Sequence, residues 1–70
     1  MYTVSLFGKH HMLFVREPTL TLAKERANEE FKNSVYDPWG RYLYARIYDP
    51  ETQQTYRKNG LDGEWELVTE

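Results

Sequence analysis

The sequence predicts an α+β domain: an antiparallel sheet of four to five strands with one helix packed on one face, in the order β-β-α-β-β-β. Three observations lead there. Tyr2 to Phe7 and the stretch RYLYARIYDPETQQTYRK, Arg41 to Lys58, alternate apolar and polar residues with the two-residue period of half-buried strands. Thr19 to about Asn33 repeats its apolar residues at three- and four-residue steps, the period of one amphipathic helix. Turn signals separate these segments, with no linker, internal repeat or low-complexity tract among them. The 70 residues therefore read as a single domain, 1–70.

The first strand places Tyr2, Val4 and Leu6 on one side and Thr3, Ser5 and Phe7 on the other. Gly8-Lys9-His10 marks a tight reversal. His11 to Arg16 then holds Met12, Leu13, Phe14 and Val15, apolar on both faces. That pattern predicts a strand at the centre of the sheet, paired antiparallel to the first. Glu17-Pro18 ends it, because proline has no ladder donor.

Thr19 is suited to cap the helix N-terminus. Leu20, Ala23, Ala27 and Phe31 form its apolar stripe, with Leu22 or Glu30 at the margins, and the small alanines allow close approach to a sheet. Lys24, Glu25, Asn28, Glu29 and Lys32 form the wet face. The loop VYDPWG follows, and its Trp39 is either folded over the core edge or held out for a partner.

In the third strand, Leu43, Ala45 and Ile47 are the expected core set, and Tyr42, Tyr44, Arg46 and Tyr48 the outward set. Asp49-Pro50-Glu51-Thr52 is a type I turn signal. With Asp49 and Gln54 flanking the loop, Ile47 lies opposite Tyr56, Tyr48 opposite Thr55 and Arg46 opposite Arg57. A slip of one residue would reverse the second strand's faces. Asn59 to Gly63 is a further turn, and Glu64 to Val68 closes as a short strand with Trp65 in the core.

Composition narrows the function classes. Hydrophobic content is 40% and aromatic content 16%, with no cysteine. A chain this short has little interior, and aromatic rings bury much area with few residues. Disulfides and thiolate metal sites are excluded, which fits a reducing cytoplasm. No apolar run reaches the roughly 20 residues of a membrane span, and the N-terminal stretch reads as a strand pair, not a signal peptide. The net charge of −2 gives neither a strongly basic footprint nor a polyanionic mimic.

Catalytic chemistry finds few candidates. Ser5 and Ser34 lack a glycine-flanked elbow. His10-His11 sits in a turn, where adjacent side chains diverge. The glycines are scattered, with no phosphate-cradling loop, and the NGLDG stretch has too few oxygen donors for calcium. We expect no enzyme, no metal and no cofactor.

One helix covers one face of a sheet. The uncovered face would then carry Tyr42, Tyr44, Arg46 and Tyr48, with Arg57, Arg41 and Trp39 as further candidates for partner contact and Phe7 beside them. Tyrosine and arginine are the residues enriched at interface hot spots. A protein partner is the first reading. A single-stranded nucleic acid stacked on the rings is the second. Stacking of two such faces in a homodimer, or tyrosines that merely pack across strands, are the others.

The helix opening TLTLAKERA has the form Ser/Thr-Leu-Ser/Thr-x-Ala-Lys-x-x-Ala. A strand, a turn and a second strand follow it, with a tryptophan near the C-terminus. From Thr19 to Trp65 this resembles small proteins of bacteriophages and mobile elements, among them anti-CRISPR proteins that pack one helix on an antiparallel sheet. The resemblance implies an inhibitor in the host cytoplasm that binds a host protein or ribonucleoprotein complex and covers its working surface. The chain departs from that pattern in its N-terminal strand pair and its slightly acidic charge. Competition by shape and aromatic contact therefore fits better than competition by positive charge.

Overall fold

The computed structural model describes residues 1–35 and 40–68. Five strands, β1 (Tyr2–Gly8), β2 (Met12–Glu17), β3 (Tyr42–Asp49), β4 (Gln54–Lys58) and β5 (Glu66–Val68), form one antiparallel sheet in the order β2-β1-β3-β4-β5. The single helix among the described residues, α1 (Leu20–Ser34), packs over β1 and β3 on one face. The expected α+β architecture is the one observed.

Val4 and Leu6 of β1, and Ala45 and Ile47 of β3, lie directly opposite one another on the helix side. All four are fully buried, together with Ala23 and Ala27 of the helix. Phe31 completes this core, and Leu13, Val15, Leu20, Tyr56 and Trp65 pack around it. The alanines do what their size suggests: they bring the helix backbone down onto the central strands. Burying a Val, Leu or Ile side chain of this kind contributes about 1.5–3 kcal/mol.

The helix begins as expected. Thr19 is the N-cap, its Oγ1 accepting from the Leu22 N–H at 3.1 Å. At the other end, buried Ser34 joins helix to sheet. Its hydroxyl donates to the Phe31 carbonyl at 2.9 Å and accepts from the Tyr42 N–H at 3.2 Å. The β3–β4 hairpin has the register read from Asp49 and Gln54: Arg46 faces Arg57, Ile47 faces Tyr56 and Tyr48 faces Thr55. The Asp49 carboxylate holds the turn by accepting from the Glu51 N–H (3.0 Å) and the Thr52 hydroxyl (2.9 Å).

Two expectations are corrected. β2 is not central but an edge strand, and its apolar residues on the open face, Met12 and Phe14, are 58% and 59% exposed. Having apolar residues on both faces did not mean both faces were covered. Second, the alternation of β3 breaks at its start. Phe7 pairs with Tyr44, but the next residue, Gly8, pairs with Tyr42, so β3 carries one extra residue, Leu43. This β-bulge inverts the faces before it. Tyr42, expected on the open face, is 8% exposed and belongs to the core, whereas Leu43, expected in the core, is 56% exposed. The Tyr42 ring lies on the His11 ring at a centroid distance of 4.5 Å. His11 in turn closes the β1–β2 turn, where its carbonyl accepts from the Gly8 N–H at 2.8 Å. A Cβ at Gly8 would stand 3.1 Å from the His11 ring, so glycine is what permits this approach.

Candidate interaction surface on the open sheet face

The face opposite the helix is built in rows by the strand register. Met12, Phe7 and Tyr44 lie side by side on β2, β1 and β3. Phe14, Ser5, Arg46, Arg57 and Glu66 form the next row across all five strands. Arg16, Thr3, Tyr48, Thr55 and Val68 form the third. Met12, Phe14 and Tyr48 are exposed on these rows, and Met1 and Pro50 border the third beside Thr3, Arg16 and Tyr48.

The rings are organised laterally. Phe7 stacks on Tyr44 with centroids 4.8 Å apart and planes 21° from parallel. Phe14 meets Phe7 edge to face at 6.1 Å. Arg57 places its guanidinium over the Tyr44 ring at 4.4 Å and donates from Nε to Asn59 Oδ1 at 3.1 Å. The sequence Phe14–Phe7–Tyr44–Arg57 is thus a ladder across four strands. Aromatic pairs of this kind contribute about 0.5–1.5 kcal/mol beyond area burial. An arginine over a ring contributes about 0.5–1 kcal/mol at an exposed site.

The electrostatics of this face differ from those of the whole chain. The net charge is −2, yet the register places Arg16, Arg46 and Arg57 here against Glu66. Arg46 and Arg57 are directly opposed. Like charges in that position oppose folding, and Arg57 leans away onto Tyr44.

Of the seven residues expected to contact a partner, Tyr44, Arg46, Tyr48 and Arg57 share this face. Tyr48 is 41% exposed, while Tyr44 is half-buried in the ladder. Tyr42 is beneath the helix side and cannot contact a partner from this face. Arg41 is exposed but lines a separate depression with Phe31, Val35, Tyr42, Asn59 and Leu61. Trp39 lies outside the described residues. Sequence reading missed Met12, Phe14 and Arg16 as members of the face. Their odd-even parity relative to Leu13 and Val15 was the available signal.

A second concavity, about 290 Å³, lies at the hairpin end of the sheet and is lined by Tyr2, Thr19, Leu20, Asp49 and Glu51. Donation from the Thr52 hydroxyl holds the Asp49 carboxyl below its ordinary value, against the opposing effect of burial. Burial, and then the charges of Asp49 and Glu51, push the Tyr2 phenol up. The Asp49 oxygens are occupied by the turn, so this site offers an engaged carboxylate. Among the described residues no group of three or more His, Cys, Asp or Glu is placed to hold a metal, and no helix is long and apolar enough to cross a membrane.

Comparison of the chain with family models, with curated proteins and with solved structures gives no match.

Proposed function

We propose that this is a non-enzymatic binding protein of the phage-encoded inhibitor type, acting in the host cytoplasm by laying its open sheet face over the working surface of a host defence complex. The observation that carries this reading is the composition of that face. Met12 and Phe14 are more than half exposed beside an ordered ladder of rings, with opposed arginines in the adjoining row. Contiguous apolar surface of this sort on a small domain marks an interaction site. The rings are already fixed by one another, so docking them loses little side-chain entropy. The arginines favour an acidic partner surface.

Single-stranded nucleic acid is the second reading, and the three arginines favour it. The ladder speaks against it. Base stacking needs a free ring face, and Phe7, Tyr44 and Arg57 occupy each other's faces.

The test begins with mass-spectrometric identification of the proteins retained from a bacterial lysate, followed by titration of the purified partner. Tyr48→Ala and Arg46→Ala are each expected to weaken binding about 30-fold, the equivalent of a 2 kcal/mol hot spot. Glu25→Ala, on the opposite helix surface, is expected to leave it unchanged. The reading fails if Glu25→Ala abolishes binding and the open-face variants do not. A salt slope near −2 in log–log form, about the value for three phosphate contacts on a single strand, would select nucleic acid instead.

A further inference from the structure

The two sheet edges are treated differently. β5 is three residues long and carries Glu66, the short charged edge that blunts strand addition. β2 is six residues long, and its middle, Met12 to Val15, has no charge, proline or bulge. Apolar side chains flank this edge on both faces. Met12 and Phe14 are exposed on the open side, and Leu13 and Val15 are only partly covered on the helix side. Leu22, 42% exposed, stands one and two turns from Arg26 and Glu30 on one flank of the helix, and Arg26 reaches Glu17 of β2 at 3.9 Å. That flank therefore overhangs the same edge.

We propose that β2 pairs antiparallel with β2 of a second copy of this chain, about a two-fold axis at Phe14, giving one continuous ten-stranded sheet. The evidence for a second copy is self-complementarity of register. Residues opposed in an antiparallel ladder share a face. With the axis at Phe14, each Phe14 meets its counterpart, Leu13 meets Val15, and Met12 meets the stem of Arg16. Apolar residues thus face apolar residues on both sides, and the ring ladder Tyr44–Phe7–Phe14 runs on into its symmetry mate. Moving the axis one residue to Val15 would set Leu13 against Glu17 on the helix side, a worse match. Stacking two open faces is a poorer dimer, because it brings two sets of Arg16, Arg46 and Arg57 together. This inference does not rest on the proposed inhibitor function, and its test reads self-association without any partner.

Sedimentation equilibrium of the wild-type chain is expected to give twice the 8.4 kDa chain mass as concentration rises, and F14K and F14E are each expected to sediment as monomers. An equimolar mixture of the two variants is expected to regain the dimer, since lysine then opposes glutamate. Far-UV circular dichroism checks that both fold. F14C supplies a milder probe in a cysteine-free chain. Opposed Cα atoms about 4.5–5.5 Å apart fall inside the disulfide range of about 4.4–6.8 Å, so oxidation is expected to cross-link F14C and not the exposed helix variant T21C. A wild-type monomer at every concentration up to about 1 mM, the weak end of specific association, overturns the proposal. So does a mixture that stays monomeric, or an F14C chain that cross-links no better than T21C.

Discussion

Replacing Tyr42 and Leu43 separately by alanine tests the bulge that sets which side chains face outward. Plain alternation through β3 makes Leu43 core and Tyr42 solvent-facing, and the bulge reverses both. Tyr42 is 8% exposed, with its ring on His11 and its N–H bonded to Ser34. Truncating a buried aromatic ring costs about 3–5 kcal/mol. Leu43 is 56% exposed. Its partial burial is worth about 1 kcal/mol or less, given about 1.5–3 kcal/mol for a fully buried leucine. A domain of this size has a total stability of about 4–10 kcal/mol. Tyr42→Ala should therefore remove a large share of it, and Leu43→Ala little. At about 4–8 °C per kcal/mol for a domain of 60–100 residues, Tyr42→Ala should lower Tm by more than about 12 °C and Leu43→Ala by less than about 8 °C. Urea titration of both variants with the m-value checked gives the same comparison at constant temperature. Equal losses, or a larger loss for Leu43→Ala, would show that the strand alternates without a bulge and that Tyr42 belongs to the open face after all.

Two further outcomes follow from particular hydrogen bonds. Ser34→Ala removes the hydroxyl that accepts from the buried Tyr42 N–H and donates to the Phe31 carbonyl, so a urea titration should show a loss of about 0.5–1.5 kcal/mol for each bond removed, and Ser34→Thr, which keeps the hydroxyl, should recover part of it. The second concerns pH. The Asp49 carboxyl is held below its ordinary value, so the stability it lends is present above the unfolded-state value of about 3.9 and is lost as pH falls through the lower folded-state value. The difference in Tm between wild type and Asp49→Asn should be constant above about pH 5 and close on acidification. A difference that grows toward acid would refute the role assigned to the turn.

Local signals in the sequence were enough for the helix and the hairpin. Thr19 caps where its hydroxyl suggests, and the stripe of Ala23, Ala27 and Phe31 is the buried one. Asp49 and Gln54 flank the loop, so the register of β3 on β4 follows from turn length. What was not legible depends on contacts distant in sequence. The position of β2 at the edge is decided by β1 pairing with β3, and no periodicity within Met12–Val15 encodes that. The bulge at Leu43 arises where β3 passes the Gly8–His11 turn, and the tyrosine run Tyr42, Tyr44, Tyr48 conceals it by offering a regular period of two. Trp65, expected in the closing strand, lies just before β5, half-buried against the core edge. For the candidate surface, parity alone placed Tyr44, Arg46 and Tyr48 correctly on one face. It could not show that Tyr44 would be consumed by Phe7 and Arg57.

An uncovered face is unavoidable when one helix serves five strands, so bareness by itself indicates nothing. The informative quantity is what occupies the bare rows. The solvated side of an antiparallel sheet is ordinarily polar, as Thr3, Ser5 and Thr55 are here. Phe7 and Tyr44 recover part of their exposure by stacking, and Arg57 adds to that. Phe14 and Met12 recover little at 59% and 58% exposure, and the like-charged Arg46 and Arg57 are directly opposed in the adjoining row. Replacing Met12 and Phe14 by threonine would relieve that exposure on folding grounds alone. Exposed apolar side chains beside opposed arginines, in adjoining rows of one face, are what the proposed docking role accounts for. On that proposal, the face calls for a complement with an apolar centre and an acidic margin.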